Sequence, residues 1–109
     1  MSLLFACAMA VAVDGDTLRC TNIEDANGRV RLARIDAPEM REQGGEEAKR
    51  ELEQLIAGRA VTCKHVDADP RREGFQDRDP FGRVVARCFV GDVDLQAALL
   101  EGGHAEVWP

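Results

Sequence analysis

Residues 4–22 read LFACAMAVAVDGDTLRCTN and describe the start of a β-sheet. Residues 4–13 are an unbroken apolar run, which predicts a strand that is buried on both faces. Asp14-Gly15 is a common two-residue hairpin signal, and residues 16–22 then alternate between apolar and polar side chains. The stretch therefore predicts a buried strand, a tight turn and an antiparallel partner strand.

A third strand is predicted directly downstream of this hairpin. A turn at residues 26–28 leads into residues 29–36. The alternation there loses phase between Leu32 and Ile35, as a β-bulge would produce, and bulges often re-aim side chains beside active sites.

The rest of the chain predicts a helix, two strands and a second helix. Residues 60–66 and 83–90 alternate as strands, and residues 67–80 between them form a charged loop with two prolines. Asp94 is expected to cap the second helix, which ends at Gly102. The first helix has its apolar stripe and its end signals at Glu46, Glu47, Ala48, Leu52, Leu55, Ile56 and Gly58. This order is the connectivity of the five-stranded OB barrel, a β-rich α+β fold that often binds oligonucleotides.

Composition argues against a nucleic-acid partner. The chain has 109 residues, so we expect a single domain over residues 1–109. Its 20 Asp+Glu against 14 Lys+Arg give a net charge of −6. Sequence-independent affinity for nucleic acid comes from basic side chains, which release counterions from the phosphates. An acidic protein has no excess of such side chains.

The N-terminal apolar run resembles a targeting or membrane segment only in part. The run at residues 3–13 is too short to span a bilayer, which takes about 20 residues. Residues 4–7 resemble a lipoprotein box and residues 8–10 a signal-peptidase site, but no basic stretch precedes either. We therefore expect a buried strand here and no membrane partner.

The four cysteines leave two interpretations open. They allow three pairings into two disulfides, and free buried cysteines are the alternative. Cys63 and Cys88 fall on the apolar faces of two predicted neighbouring strands, while Cys7 and Cys20 flank the first turn and would be the other pair. Two disulfides would weakly favour a secreted or periplasmic protein.

Three polar clusters lie at the ends of predicted strands. They are residues 14–17 (DGDT), 31–39 (RLARIDAPE) and 79–83 (DPFGR). Each alone has a simple explanation, as a hairpin turn, a solvated strand end or a turn. In this order and together they resemble the staphylococcal nuclease (thermonuclease) family, and the resemblance extends from Phe5 to Val107.

The resemblance implies an OB barrel and Ca²⁺-dependent hydrolysis of DNA and RNA, with single-stranded substrates preferred. In the family the 5′-oxygen leaves, which gives products with 3′-phosphates. By position, Asp16 and Asp36 would ligate calcium with the main-chain carbonyl of Ala37. Carboxylate and carbonyl oxygens are the ligands that this hard cation takes.

The same resemblance gives the catalytic residues. Glu39 would orient or deprotonate the attacking water, and Arg31 and Arg83 would grip the scissile phosphate. Phe81 would contact substrate where family members usually have Tyr, and Pro80 replaces a Lys that helps to hold a phosphate. Guanidiniums suit the negative charge that the phosphoryl oxygens gain in the transition state.

Charge counting predicts weak substrate affinity, because we expect few basic residues along the nucleic-acid strand beyond this site. The Arg71-Arg72 pair in the long loop would either touch a nucleic-acid backbone or be solvated. Longer family members continue through a further helix, whereas this sequence ends at Trp108-Pro109, and the surface left uncovered would favour self-association. The rival to a nuclease is a non-catalytic nucleic-acid-binding or interaction module on the same fold.

Overall fold

The computed structural model describes residues 3–108, so the ends of the predicted domain at residues 1–2 and 109 lie outside it. The fold is α+β and mostly sheet, with two helices, as predicted. One sheet has seven strands and a second sheet has two.

The first predicted strand is in fact two strands. β1 (Leu4–Cys7) pairs with a strand late in the chain, whereas β2 (Val11–Asp14) pairs with β3 (Thr17–Arg19). The chain turns between β1 and β2 at Met9, which has a φ of 49°. The prediction of burial on both faces is also wrong, because Met9 is exposed. An uninterrupted apolar run does not reveal a turn that a non-glycine residue makes.

The third predicted strand is likewise divided. β4 (Arg29–Leu32) pairs with β3, and β5 (Ile35–Asp36) belongs to the two-stranded sheet, where it pairs with β9 (Glu106–Val107). The loss of phase marks a turn at Arg34, whose φ is 64°, instead of a bulge within one strand. This turn separates the two sheets and sends Asp36 away from the direction of β4.

The first helix follows the predicted amphipathic pattern. α1 (Gly45–Ile56) has Glu46 and Glu47 in its first turn and buries Ala48, Leu52 and Ile56. Its buried face packs against β2, which lies directly before the first polar cluster. The helix therefore supports the hairpin that follows β2.

The second predicted strand pair forms the centre of the larger sheet. β6 (Val61–His65) is antiparallel to β7 (Val84–Val90) and to β1, and β4 lies parallel to β7. A short β8 (Val93–Asp94) pairs with the end of β7 and leads into α2 (Leu95–Glu101). The Asp94 carboxylate accepts a hydrogen bond from the N–H of Ala97, which is the predicted cap.

The larger sheet runs in the order β1-β6-β7-β4-β3-β2, with β8 on β7. Among residues 3–108 its two outermost strands, β1 and β2, have no ladder between them, so the structure has no closed five-stranded barrel. Both outermost strands are consecutive in the chain and are joined by residues 8–10.

Two disulfides cross-link the sheet. Cys7 is bonded to Cys20 and Cys63 to Cys88, and the latter two residues are direct cross-strand partners. Beneath them, fully buried leucines fill the core between the larger sheet and both helices. Neither helix in the described part of the chain has the length and apolar character needed to cross a membrane.

Candidate active site

The hairpin between β2 and β3 holds Asp16 in a buried position. Its Oδ2 accepts a hydrogen bond from the N–H of Ala37 at 2.8 Å, and its Oδ1 accepts one from the hydroxyl of Thr17 at 3.2 Å. The preceding Gly15 packs so closely that a Cβ there would lie 2.5 Å from the Cβ of Ala48 in α1. The first and second polar clusters therefore meet over the start of α1.

Arg31 in β4 connects the two aspartates that the sequence motif selects. Its Nη1 lies 3.4 Å from Oδ2 of Asp16, and its Nη2 lies 3.4 Å from Oδ1 of Asp36. Its Nη1 also donates to the carbonyl of Leu32 at 2.9 Å, which fixes the guanidinium. The Asp16 side chain is only 9% exposed, whereas that of Asp36 is 61% exposed. One guanidinium thus spans a buried and an open carboxylate.

Burial makes the Asp16 carboxyl a weaker acid than usual. It raises the pKa of Asp16 from 3.8 to about 6, and this effect outweighs the Arg31 guanidinium and the Ala37 N–H, which both lower that pKa. The raised pKa thus reflects the loss of water around the ionised carboxylate. A further cation beside it would stabilise the ionised form.

Arg83 is positioned by the third polar cluster. Its Nε donates to Oδ2 of Asp79 at 2.6 Å. The other Asp79 oxygen accepts from the N–H groups of Phe81 and Arg83 at 3.0 and 2.9 Å, which organises the turn. The Asp79 carboxylate binds Nε of Arg83. Neither terminal amino group of Arg83 has a hydrogen bond to another described residue, so both are available to a ligand. Phe81 is 79% exposed, and the Arg83 guanidinium lies 5.3 Å from the centre of its ring.

Glu39 is the predicted residue that the structure connects least to the others. Its side chain is 68% exposed and its Oε2 lies 3.7 Å from Nε of Arg41. Its N–H donates to the carboxylate of Glu42 at 2.7 Å. Among the side chains that the structure describes, no three of His, Cys, Asp or Glu form a group that could hold a metal. The Asp16 and Asp36 carboxylates are connected through the Arg31 guanidinium, and the main-chain N–H of Ala37 lies at Asp16.

A cavity of about 510 Å³ extends from Arg31 and Arg83 across the base of the long loop. Six arginines line it against two aspartates, which is a formal excess of four positive charges in a protein with a net charge of −6. The expectation that few basic residues continue beyond the site is therefore wrong. The charged and aromatic residues that line the cavity are Arg31, Arg34, Arg71, Arg72, Arg78, Arg83, Asp69, Asp79, Phe81 and Trp108.

Sequence reasoning left Arg34 as either a supporting group of the site or a surface pair, did not single out Arg78, and could not place Arg71 and Arg72. The composition of the loop showed their charges, but their common location depends on how the loop folds. Charges act over a screening length of about 8 Å at physiological salt. A ligand in this cavity therefore meets the arginines that line it and not the net charge of the whole chain.

Comparisons with known proteins agree with the site motifs. A family model described as "Staphylococcal nuclease homologue" matches residues 29–109. An "Uncharacterized endonuclease" of Haemophilus influenzae is 40% identical over 99 residues, which cover 91% of this chain and 50% of that protein. A protein with the same description from Escherichia coli is 30% identical over 97 residues, which cover 88% of this chain and 56% of that protein.

A plant protein gives a further match. The "Probable staphylococcal-like nuclease CAN2" of Oryza sativa subsp. japonica is 32% identical over 77 residues, which cover 71% of this chain and 18% of that protein. This chain thus spans about half, or less, of the length of these curated relatives. The family match includes Arg31, Asp36, Glu39 and Arg83, whereas Asp16 precedes it.

Proposed function

This chain belongs to the staphylococcal nuclease homologue family, and on that basis we propose that it is a Ca²⁺-dependent endonuclease that hydrolyses DNA and RNA. Relatives in two bacteria carry the description endonuclease. The reaction we propose breaks the bond between phosphorus and the 5′-oxygen and leaves 3′-phosphate ends.

The observation that carries the proposal is the position of the Arg31 guanidinium. It lies 3.4 Å from both Asp16 and Asp36 and lines the same cavity as Arg83. A guanidinium between two carboxylates, with a second guanidinium on the same cavity, suits a phosphodiester with a bound divalent cation, because the cation and the arginines share the negative charge of the phosphate. If Arg31 served only to form salt bridges with the two aspartates, a second arginine on the same cavity would not be needed.

The donor set fits calcium. Asp16, Asp36 and the carbonyl of Ala37 supply the oxygen ligands that Ca²⁺ prefers, and the exposure of Asp36 leaves room for water and substrate. Burial raises the pKa of the Asp16 carboxyl to about 6, and a cation bound beside it would favour the ionised form. A bound cation would supply positive charge at a phosphate oxygen and make a nearby water more acidic. With so few protein ligands we expect a Kd of about 10⁻⁴–10⁻³ M.

The residues then divide the work. Arg31 and Arg83 contact the non-bridging oxygens of the scissile phosphate, and the fixed Nε of Arg83 aims its terminal amino groups. Glu39 accepts the proton of the water whose oxygen forms the new bond to phosphorus, a contribution of about 10²–10⁴ in rate. Its exposed carboxylate must leave Arg41 to do so.

We propose single-stranded or frayed nucleic acid as the preferred substrate. A cavity of about 510 Å³ is of the size that encloses one small ligand, such as a single nucleotide, and not a duplex. The exposed ring of Phe81 offers an unpaired base a surface for stacking.

Cleavage of a labelled single-stranded oligonucleotide in Ca²⁺ and in chelator tests the proposal. We expect cleavage in Ca²⁺ only, and a loss of about 10²-fold or more in Glu39→Gln. Glu53→Gln is the matched control, since Glu53 is an exposed acidic residue of α1 that does not line the cavity. Equal cleavage by parent and Glu39→Gln would contradict the role of Glu39.

A non-catalytic binding module is the second candidate, and the exposed Glu39 carboxylate beside Arg41 favours it. Its signature is tight binding of single-stranded DNA without cleavage in Ca²⁺. That outcome would refute the nuclease and retain the nucleic-acid interface.

We further propose that the larger sheet is of the OB type, with its outermost strands joined by the chain and not by a ladder of hydrogen bonds. Its outermost strands β1 and β2 are joined by residues 8–10, and β4 lies parallel to β7, which are both features of a strand bent around a five-stranded barrel. We propose a secreted or periplasmic location because both disulfides need an oxidising compartment.

We also propose self-association, because apolar residues such as Val107 are exposed.

A further inference from the structure

The loop of residues 67–76 has a closed, folded base. The N–H of Ala68 donates to the carbonyl of Gln76 at 2.8 Å. The Asp67 carboxylate accepts from the N–H groups of Asp69 and Gln76 at 3.0 and 3.1 Å, so one side chain holds both ends. The loop is therefore a compact unit with its ends close together.

This unit is attached to the active-site turn. The Nη2 of Arg34 donates to the carbonyl of Asp67 at 2.8 Å, and the N–H of Trp108 donates to the carbonyl of Arg34 at 2.9 Å. Arg34 stands in the turn between Arg31 and Asp36. The loop base, the Trp108 backbone and the turn that carries the proposed catalytic groups are thus one connected structure.

Two arginines of the loop face the same cavity as the catalytic pair. Arg71 and Arg72 are exposed and line the cavity with Arg31 and Arg83. The Arg71 side chain is held by Asp69 at 3.1 Å, and this hydrogen bond, together with the charges of Arg71 and Arg72, lowers the pKa of the Asp69 carboxyl. One aspartate beside two exposed arginines leaves this part of the cavity net positive, so it is available to an anion.

We propose that the 67–76 loop binds a second phosphate of the same nucleic-acid strand, next to the scissile one, through Arg71 and Arg72. The inference rests on the proposed function, because it assumes that the scissile phosphate lies at Arg31 and Arg83. The loop then extends recognition from one phosphodiester to a run of nucleotides. A single strand presents its phosphates at regular intervals, and each one neutralised by a basic side chain releases counterions.

The test is fluorescence anisotropy of a labelled 12-nucleotide oligo-dT in chelator, where no cleavage occurs. Arg71→Ala/Arg72→Ala is compared with Arg50→Ala/Arg59→Ala, which removes the same charge from exposed residues that do not line the cavity. We expect the loop variant to raise Kd about tenfold at low salt and to lower the slope of log K against log salt by about 0.7–1.4, for one or two phosphates. We expect Arg71→Lys/Arg72→Lys to retain the parent slope, and equal unfolding midpoints to exclude misfolding.

Two outcomes of the binding experiment overturn the inference. Either the loop variant and the control lose affinity equally, which is an effect of net charge alone, or neither changes the slope. In Ca²⁺, the ratio of kcat/KM for the 12-mer to that for a dinucleotide should also fall about tenfold in the loop variant; an unchanged ratio contradicts a second phosphate. Failure of the parent to cleave either substrate refutes the proposed nuclease, and the anisotropy result still decides the role of the loop.

Discussion

Asp79→Asn separates the positioning of Arg83 from the folding of its turn. Asn retains an Oδ1 that accepts the N–H groups of Phe81 and Arg83, so the turn keeps both main-chain hydrogen bonds. Its amide nitrogen cannot accept from Nε of Arg83, whose hydrogen bond to Asp79 is 2.6 Å long. The substitution therefore releases the guanidinium and spares the backbone.

The size of the effect follows from this one bond. Hydrogen bonds to charged groups contribute about 1.5–3 kcal/mol. Because the Arg83 and Asp79 side chains are partly exposed, with 22% and 10% accessible, we take about 1–2 kcal/mol. A loss of that size in the transition state lowers kcat/KM about 5- to 30-fold. The loss should fall mainly on kcat and stay below that of Arg83→Ala, which removes the guanidinium.

Steady-state cleavage of single-stranded oligonucleotide in Ca²⁺ measures this effect. Asp92→Asn is the matched control, because Asp92 is an exposed aspartate in the turn after β7 and lies outside the cavity. Activity of Asp79→Asn within twofold of the parent would refute the positioning of Arg83 by Asp79. An equal decrease in Asp92→Asn would assign the effect to overall charge.

Three further predictions concern the fold that carries the site. Gln96→Leu should destabilise the protein by about 2–5 kcal/mol in urea unfolding, because the buried Gln96 amide pairs with both the N–H and the carbonyl of Cys88, which would be left unpaired; a change below about 1 kcal/mol would refute this. Gly15→Ala should cost about 1–3 kcal/mol and reduce activity, because its Cβ would lie 2.5 Å from that of Ala48; an unchanged unfolding midpoint contradicts the packing. Burial, and then the Arg78 charge, lower the pKa of His65 below 6.5, so the unfolded chain binds a proton first and stability should fall as the pH drops through 6.5. His65→Phe should fall less steeply over that window in unfolding experiments, and parallel curves for the two proteins would argue against it.

Much of the fold could be predicted from local patterns. Alternation identified β7 and its buried residues, and the cap at Asp94 and the apolar stripe of α1 were also correct. The breaks at Met9 and Arg34 could not be predicted, because each needs a left-handed backbone at a residue that rarely adopts it. Long-range pairing with β6 and β9 imposes these turns.

The candidate site divides in the same way. The order of three motifs was enough to select Asp16, Arg31 and Asp36, which the structure brings together around one guanidinium. The cationic cavity was not predictable, since it depends on the Asp67 carboxylate holding a loop whose ends are nine residues apart. Net charge counts residues and does not report which of them share a cavity.

The most direct test of the central claim is cleavage of a single-stranded oligonucleotide in ¹⁸O-labelled water with Ca²⁺, followed by mass spectrometry of the product ends. If water attacks phosphorus and the 5′-oxygen leaves, the label lies in a terminal 3′-phosphate, and chelator abolishes the products. Labelled 5′-phosphate ends, or the same products in chelator, would contradict calcium-dependent hydrolysis at Arg31 and Arg83.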